Sequence, residues 1–70
     1  MNRKELASII KAAREKKKLS TDEFAKIYGT SAPGVSRLES GRQNICIDTL
    51  CKVASALNME LEIKFKPKKD

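Results

Sequence analysis

Apolar residues recur with two different periods along this 70-residue chain. As far as Asn58 they fall at three- and four-residue steps, the period of a helix; from Met59 they alternate with charged residues. Leu6, Ile9, Ile10 and Ala13 stand at i, i+3, i+4 and i+7, one stripe of an amphipathic first helix. Asn2 with Glu5 has the spacing of a capping box at its start, and Lys16, Lys17 and Lys18 suit the negative end of its dipole. A second helix is predicted over Thr21 to Tyr28. Ser20 and Glu23 form its capping box, Leu19 and Phe24 its hydrophobic staple, and Gly29 its stop. Ser31 then caps a third helix that tolerates Pro33 in its first turn and turns Val35 and Leu38 inward. Ile47, Leu50, Val53, Ala54 and Leu57 mark a fourth.

The second and third helices have a particular spacing. Counting from Thr21, small Ala25 is fifth, Gly29 ninth, Val35 fifteenth and Leu38 eighteenth. Two helices that cross steeply over a tight turn need a small residue where they touch and a glycine free to take positive φ. Val35 and Leu38 would then pin the third helix to the core. Its other face, holding Pro33, Ser36, Arg37 and Ser40 with Ala32 at the flank, is left outward.

The last stretch breaks this pattern. Met59-Glu60-Leu61-Glu62-Ile63-Lys64-Phe65-Lys66 alternates apolar and charged residues, which predicts a strand. This short chain offers no second strand, and an unpaired strand leaves its backbone groups unsatisfied. Antiparallel pairing with the same strand of a second subunit is therefore expected, making a homodimer. Met59, Leu61, Ile63 and Phe65 would cover the ends of both helical cores, with Glu60 or Glu62 opposite a lysine of the other copy. Pro67 ends the pairing and opens a basic tail over 67–70. The expected division is thus 1–58, a helical domain, and 59–66, a dimerisation strand.

Fifteen Lys and Arg against nine Asp and Glu give a net charge of +6, which favours an anionic partner. There is no histidine, and Cys46 and Cys51 lack the spacing of a metal site, so no metal or cofactor is expected. The two cysteines are read as small packing residues. No phosphate loop or nucleophile–base pair emerges, which argues against an enzyme. Phe24, Tyr28 and Phe65 are too few to form the stacking platforms of a single-strand or RNA binder. The polar start MNRKEL offers neither an export signal nor a membrane span, so a cytoplasmic location is expected.

The stretch LSTDEFAKIYGTSAPGVSRLESGRQNICIDTLCKVASAL, with Arg14 ahead of it, resembles the helix-turn-helix domain shared by Cro, lambda-type repressors and xenobiotic-response-element regulators. The resemblance spans residues 5 to 58. It implies a mainly α, four-helix, phage-repressor-like domain that regulates transcription by binding a double-stranded DNA operator. In that family the third helix enters the major groove. The matching base-reading positions are Ala32, Pro33, Ser36 and Arg37, of which Arg37 can bond O6 and N7 of guanine together. Phosphates fall to Ser20 and Thr21 at the second helix's start, and to Ser40, Arg42 and Gln43 after the third. Arg14 and Glu39 match a buried ion pair joining the first helix to the third. Two departures shift the weight of recognition. Thr21 stands where relatives carry glutamine, and Ala32, Pro33 and Gly34 replace long polar readers. Specificity then rests on Arg37, Ser36 and DNA shape. A repressor-like domain followed directly by a strand also resembles HipB-type antitoxins, which implies an autorepressor with a kinase-like toxin as partner. The alternative is a protein-interaction module that keeps the fold and reads little DNA.

Overall fold

Each helix of the chain begins at a side-chain cap or a sharp change of backbone direction. The computed structural model describes residues 1–68; Lys69 and Asp70, half of the expected basic tail, lie outside the described residues. In chain order the helices are α1 (Arg3–Lys16), α2 (Thr21–Tyr28), α3 (Ala32–Leu38) and α4 (Ile47–Ala56). Asn2 caps α1 by accepting the Glu5 N–H at 2.9 Å. At α2 the box is reciprocal: Glu23 N–H donates to the Ser20 hydroxyl at 3.1 Å and Ser20 N–H to the Glu23 carboxylate at 2.9 Å. Ser31 caps α3 through the Gly34 N–H at 3.3 Å.

The helix ends are as specific as the starts. Gly29 closes α2 with φ 89°, a left-handed conformation that costs a Cβ-bearing residue more. The ends of α1 and α4 use Lys18 (φ 58°) and Asn58 (φ 54°) instead. Leu19 N–H bonds back to Arg14 O at 3.3 Å and Lys18 N–H to Glu15 O at 2.9 Å. Met59 N–H reaches Ala54 O at 2.8 Å and Asn58 N–H reaches Ser55 O at 3.1 Å. Both are Schellman turns, and each throws an apolar residue, Leu19 or Met59, back against the core.

That core is built around α2, which packs on both α3 and α4. Ile10, Phe24, Ala25, Val35, Leu38, Val53 and Leu57 form one cluster, with Phe24 and Val35 fully buried. Burying either side chain stabilises the fold by roughly 1.5–3 kcal/mol. In so small a domain, two such residues are a large fraction of what holds it. Among the described residues, no helix is long and apolar enough to cross a membrane.

Three expectations are corrected. The predicted strand over 59–66 does not form: the described residues contain no strand, because nothing within one chain supplies the backbone partner that a ladder needs. Met59 packs on the core, but Ile63 is 57 % exposed and Phe65 wholly so. Ile47 and Ile9, read as members of inward stripes, are about half exposed at 52 % and 51 %. Ile47 is the first residue of α4, and Ile9 lies at the edge of the α1 stripe. Cys46 and Cys51 are free and exposed, not packing residues. Cys46 is the N-cap of α4, a position outside the helical face, while Cys51 lies beside the buried stripe.

Candidate nucleic-acid interface

The outward face of α3 follows from how firmly its inner face is held. Val35 and Leu38 are buried, and the intervening residues Ser36 and Arg37 are exposed, with Pro33 on the same side one turn earlier. Ala32 is half-buried, so only part of its methyl is available. Gly34, in the first turn of α3, is turned toward Thr30 and away from this outer face: a Cβ there would collide with the Thr30 hydroxyl and crowd the Thr30 methyl at 3.4 Å. Its place in the recognition face was read from the sequence as a missing polar reader. A packing demand from Thr30 is what the geometry adds.

Arg14 holds the far end of α3. Its Nε donates to Glu39 Oε2 at 2.8 Å, Nη2 to Glu39 Oε1 at 3.2 Å, and Nη1 to the Leu19 carbonyl at 2.7 Å. The two side chains are 9 % and 7 % exposed. Hydrogen bonding to Glu39 raises the Arg14 pKa further, against the opposing effect of burial, so the guanidinium stays charged. Since Glu39 is the C-cap of α3, the ion pair sets the position of that helix relative to α1 and the turn before α2. Sequence patterns alone could not show the third bond, to the backbone of Leu19.

Beyond α3 the chain turns through Ser40, Arg42 and Gln43, all exposed. The Ser40 hydroxyl donates to the Arg37 carbonyl at 2.7 Å and accepts from the Arg42 N–H at 3.2 Å. Its proton is therefore used to shape this loop, and the Arg42 and Gln43 side chains are the groups left free to reach an anion. Among the described residues, neither Arg37 nor Arg42 is ion-paired. At α2, Ser20 is exposed and Thr21 half-buried. The Glu23 N–H goes to the Ser20 hydroxyl and the Phe24 N–H to the Ser20 carbonyl at 3.0 Å. Thr21 and Asp22 supply the first-turn N–H groups not used within the helix. Glu23 sits close by, its pKa held below the usual range by the Ser20 N–H and then by the Ser20 hydroxyl.

A second cluster was not visible in the sequence. Lys52 Nζ lies 4.5 Å from the centre of the Tyr28 ring, and Tyr28 stacks at a tilt on Phe24 with ring centres 5.5 Å apart. Burial, with the nearby Cys46 sulfur, pushes the Tyr28 hydroxyl's pKa up. Cys46 approaches Thr49 at 3.4 Å, and hydrogen bonds from the Thr49 hydroxyl and then its N–H lower the thiol pKa. The Lys52–Tyr28 contact gives no sequence signal because it joins α2 to α4 through side chains of no fixed sequence spacing.

Comparison with known proteins decides what this arrangement is. The family described as Helix-turn-helix matches residues 10–64, a span that takes in α2, the turn and α3 whole. The chain belongs to the Cro/C1-type helix-turn-helix family. It is similar to the ImmF control region 10 kDa protein of Bacillus phage phi105, with 35 % identity over 60 residues. Those residues are 86 % of this chain and 67 % of the phage protein. It is also similar to the HTH-type transcriptional repressor RghR of Bacillus subtilis (strain 168), with 37 % identity over 54 residues. There the match takes in 76 % of this chain but only 40 % of the repressor. Family membership makes the chain a DNA-binding regulator of transcription, and α3 with its braced inner face is the element that corresponds to the recognition helix.

Proposed function

We propose that the protein is a sequence-specific repressor that binds a double-stranded operator as a homodimer and acts on its own promoter in the cytoplasm. The observation that carries this reading is Arg37: exposed, without an ion-pair partner among the described residues, and projecting from a short helix whose opposite side is fixed by Val35, Leu38 and the Arg14–Glu39 pair. The helix is braced, so the guanidinium is offered to a guanine edge from a fixed backbone, and its planar fork matches O6 and N7 together. Ser36, Pro33 and the Ala32 methyl complete the base-reading face. Arg42, Gln43, Ser20, Thr21 and Ser40 lie along the phosphate backbone, with Ser40 acting mainly by shaping the loop. The exposed apolar run Leu61, Ile63 and Phe65 supports a dimer made through residues 59–66, with Met59 anchoring it to each core. Two recognition helices in successive major grooves would place half-sites about 34–36 Å apart.

Titrating the full chain against DNA from upstream of its own gene, at several salt concentrations, tests the proposal. A specific site should bind at least about a thousandfold more tightly than random DNA of equal length. The rival reading, a protein-interaction module that keeps the fold, draws on the Ala32-Pro33-Gly34 run and its lack of polar readers. Equal binding to both DNAs would favour it. The alternating sequence pattern after Asn58, which resembles that of HipB-type antitoxins, extends the proposal to an antitoxin that holds a kinase-like toxin, which co-purification with the product of an adjacent gene would test.

A further inference from the structure

We infer, resting on the phosphate contact proposed for Arg42, that the first turn of α1 and the loop after α3 together form a second backbone-binding site. In it Arg3 and Lys4 hold a DNA sugar–phosphate beside the one held by Arg42. Gly41 is what joins the two elements. It takes φ 80°, a conformation that side-chain-bearing residues rarely adopt, and its backbone lies directly on Lys4. A Cβ at Gly41 would stand 3.0 Å from Lys4 Cγ and 3.1 Å from Lys4 Cα. The stem of Lys4 is thereby laid on the loop between Ser40 and Arg42, and its exposed side chain carries the ammonium into solvent from there.

A cleft beside this contact supplies the second observation. Between the first turn of α1 and the segment leading into α4 lies an open depression of about 620 Å³, whose walls include Arg3, Lys4, Leu6, Asn44 and Ile45. Leu6 and Ile45 are half-buried and form its apolar part, while Arg3, Lys4 and Asn44 are exposed. A nucleic-acid backbone matches both parts. Deoxyribose presents C–H edges, and the phosphate carries a charge that cations and an amide N–H can hold. Neither cation is neutralised within the fold. The ion pairs among the described residues are Arg14–Glu39 and Lys64–Glu62, and the positions one turn on, Leu6, Ala7 and Ser8, carry no carboxylate. Helix stability does not account for the two charges either, since cations in a first turn oppose the helix dipole. Together with Arg42, they make one edge of the DNA-facing surface cationic across two separate elements.

Titration of the full chain carrying Arg3→Ala or Lys4→Ala on operator DNA, at several salt concentrations, tests the site. Each should reduce the slope of log affinity against log salt by about 0.9, the effect of one lost phosphate contact. Lys4→Glu, which suits the helix dipole, should weaken binding further without lowering the melting temperature, so that the loss is not one of folding. Operator duplexes bearing one neutral methylphosphonate at a time then locate the contact. At one position the substitution should weaken binding of the wild type and leave Lys4→Ala unaffected. That position should neighbour, on the same strand, the one to which Arg42→Ala is indifferent. Wild-type slopes in both alanine variants, or a Lys4→Ala chain that responds to every methylphosphonate as the wild type does, overturns the inference while the Arg42 contact stands. If Arg42→Ala also keeps the wild-type slope, the contact on which the inference rests fails, and the inference fails with it.

Discussion

Arg14 and Glu39 stand 25 positions apart and meet through two charge-assisted hydrogen bonds, at 2.8 and 3.2 Å, in a site closed to solvent. With the third bond from Arg14 to Leu19 O at 2.7 Å, each of the three guanidinium nitrogens donates one hydrogen bond. The pair therefore joins α1, the turn before α2 and the end of α3. Removing one partner strands the other charge. Glu39→Ala should lower stability by on the order of 3 kcal/mol or more, measured by urea unfolding. An unchanged midpoint would show that the pair contributes nothing to the fold.

Lys18 offers a change in the opposite direction. Its φ of 58° places a Cβ-bearing residue in the left-handed region at the end of α1, where the Schellman turn needs that conformation. Its side chain is exposed, so nothing in packing opposes its loss. Lys18→Gly should raise stability by roughly 1 kcal/mol, seen as a higher melting temperature. Asn58, in the same conformation after α4, should gain less from the same change, because asparagine tolerates it better than lysine. A melting temperature lowered by Lys18→Gly would contradict the assignment of strain.

How far the sequence disclosed this fold depends on the range of each interaction. The Ser20–Glu23 box, the Gly29 stop and the Ser31 cap are local, joining residues within a few positions, and sequence alone locates them. Inward positions such as Phe24, Val35 and Leu38 were legible for the same reason, since helical period ties them to neighbours one turn away. Ile9 and Ile47 were misread because period says which residues share a face, not how wide a strip the packed helix covers. The cysteines failed for a related reason: a small apolar residue beside a stripe is buried only if a neighbour reaches it. Thr30 against Gly34, Lys52 over Tyr28, and Arg14 to the Leu19 carbonyl join elements through tertiary placement. Residues 59–66 show a pattern without its structure, because alternation specifies a strand's faces but a ladder also needs a second backbone.

Glu23 makes part of the stability depend on pH. Hydrogen bonds from the Ser20 N–H and hydroxyl hold its folded pKa below the usual carboxylate value, whereas the unfolded chain titrates in the ordinary range. The unfolded state thus binds the proton more readily. The contribution is fully present above the unfolded pKa and is lost as pH falls through that range to the folded pKa. Glu23→Gln, which keeps an acceptor but no titrating group, should flatten the fall in melting temperature below about pH 5. A variant whose acid profile parallels the wild type would show that the capping carboxylate is not the group responsible.

Arg37 and Arg42 should fail differently when each is replaced by alanine. Arg37 is exposed on the outer face of α3, and a bidentate contact with guanine is lost only where that base is present. Arg37→Ala should cost about 1–3 kcal/mol on the specific site, relax the preference at one base pair, and leave binding to random DNA nearly unchanged. Arg42 lies in the loop whose backbone N–H is held by Ser40, so its side chain projects from a fixed point just past the helix. A phosphate contact from there carries no sequence information. Arg42→Ala should weaken binding about equally on all sequences and reduce the slope of log affinity against log salt by about one. Both substitutions are on exposed side chains without ion-pair partners among the described residues, so the melting temperature should stay near that of the wild type. Titrations of each variant on the operator and on its single-base variants, at three or more salt concentrations, separate the two roles. If Arg37→Ala lowered all affinities alike, α3 would lie along the backbone and not in the groove. If neither variant changed binding at all, this face of the protein would not touch DNA.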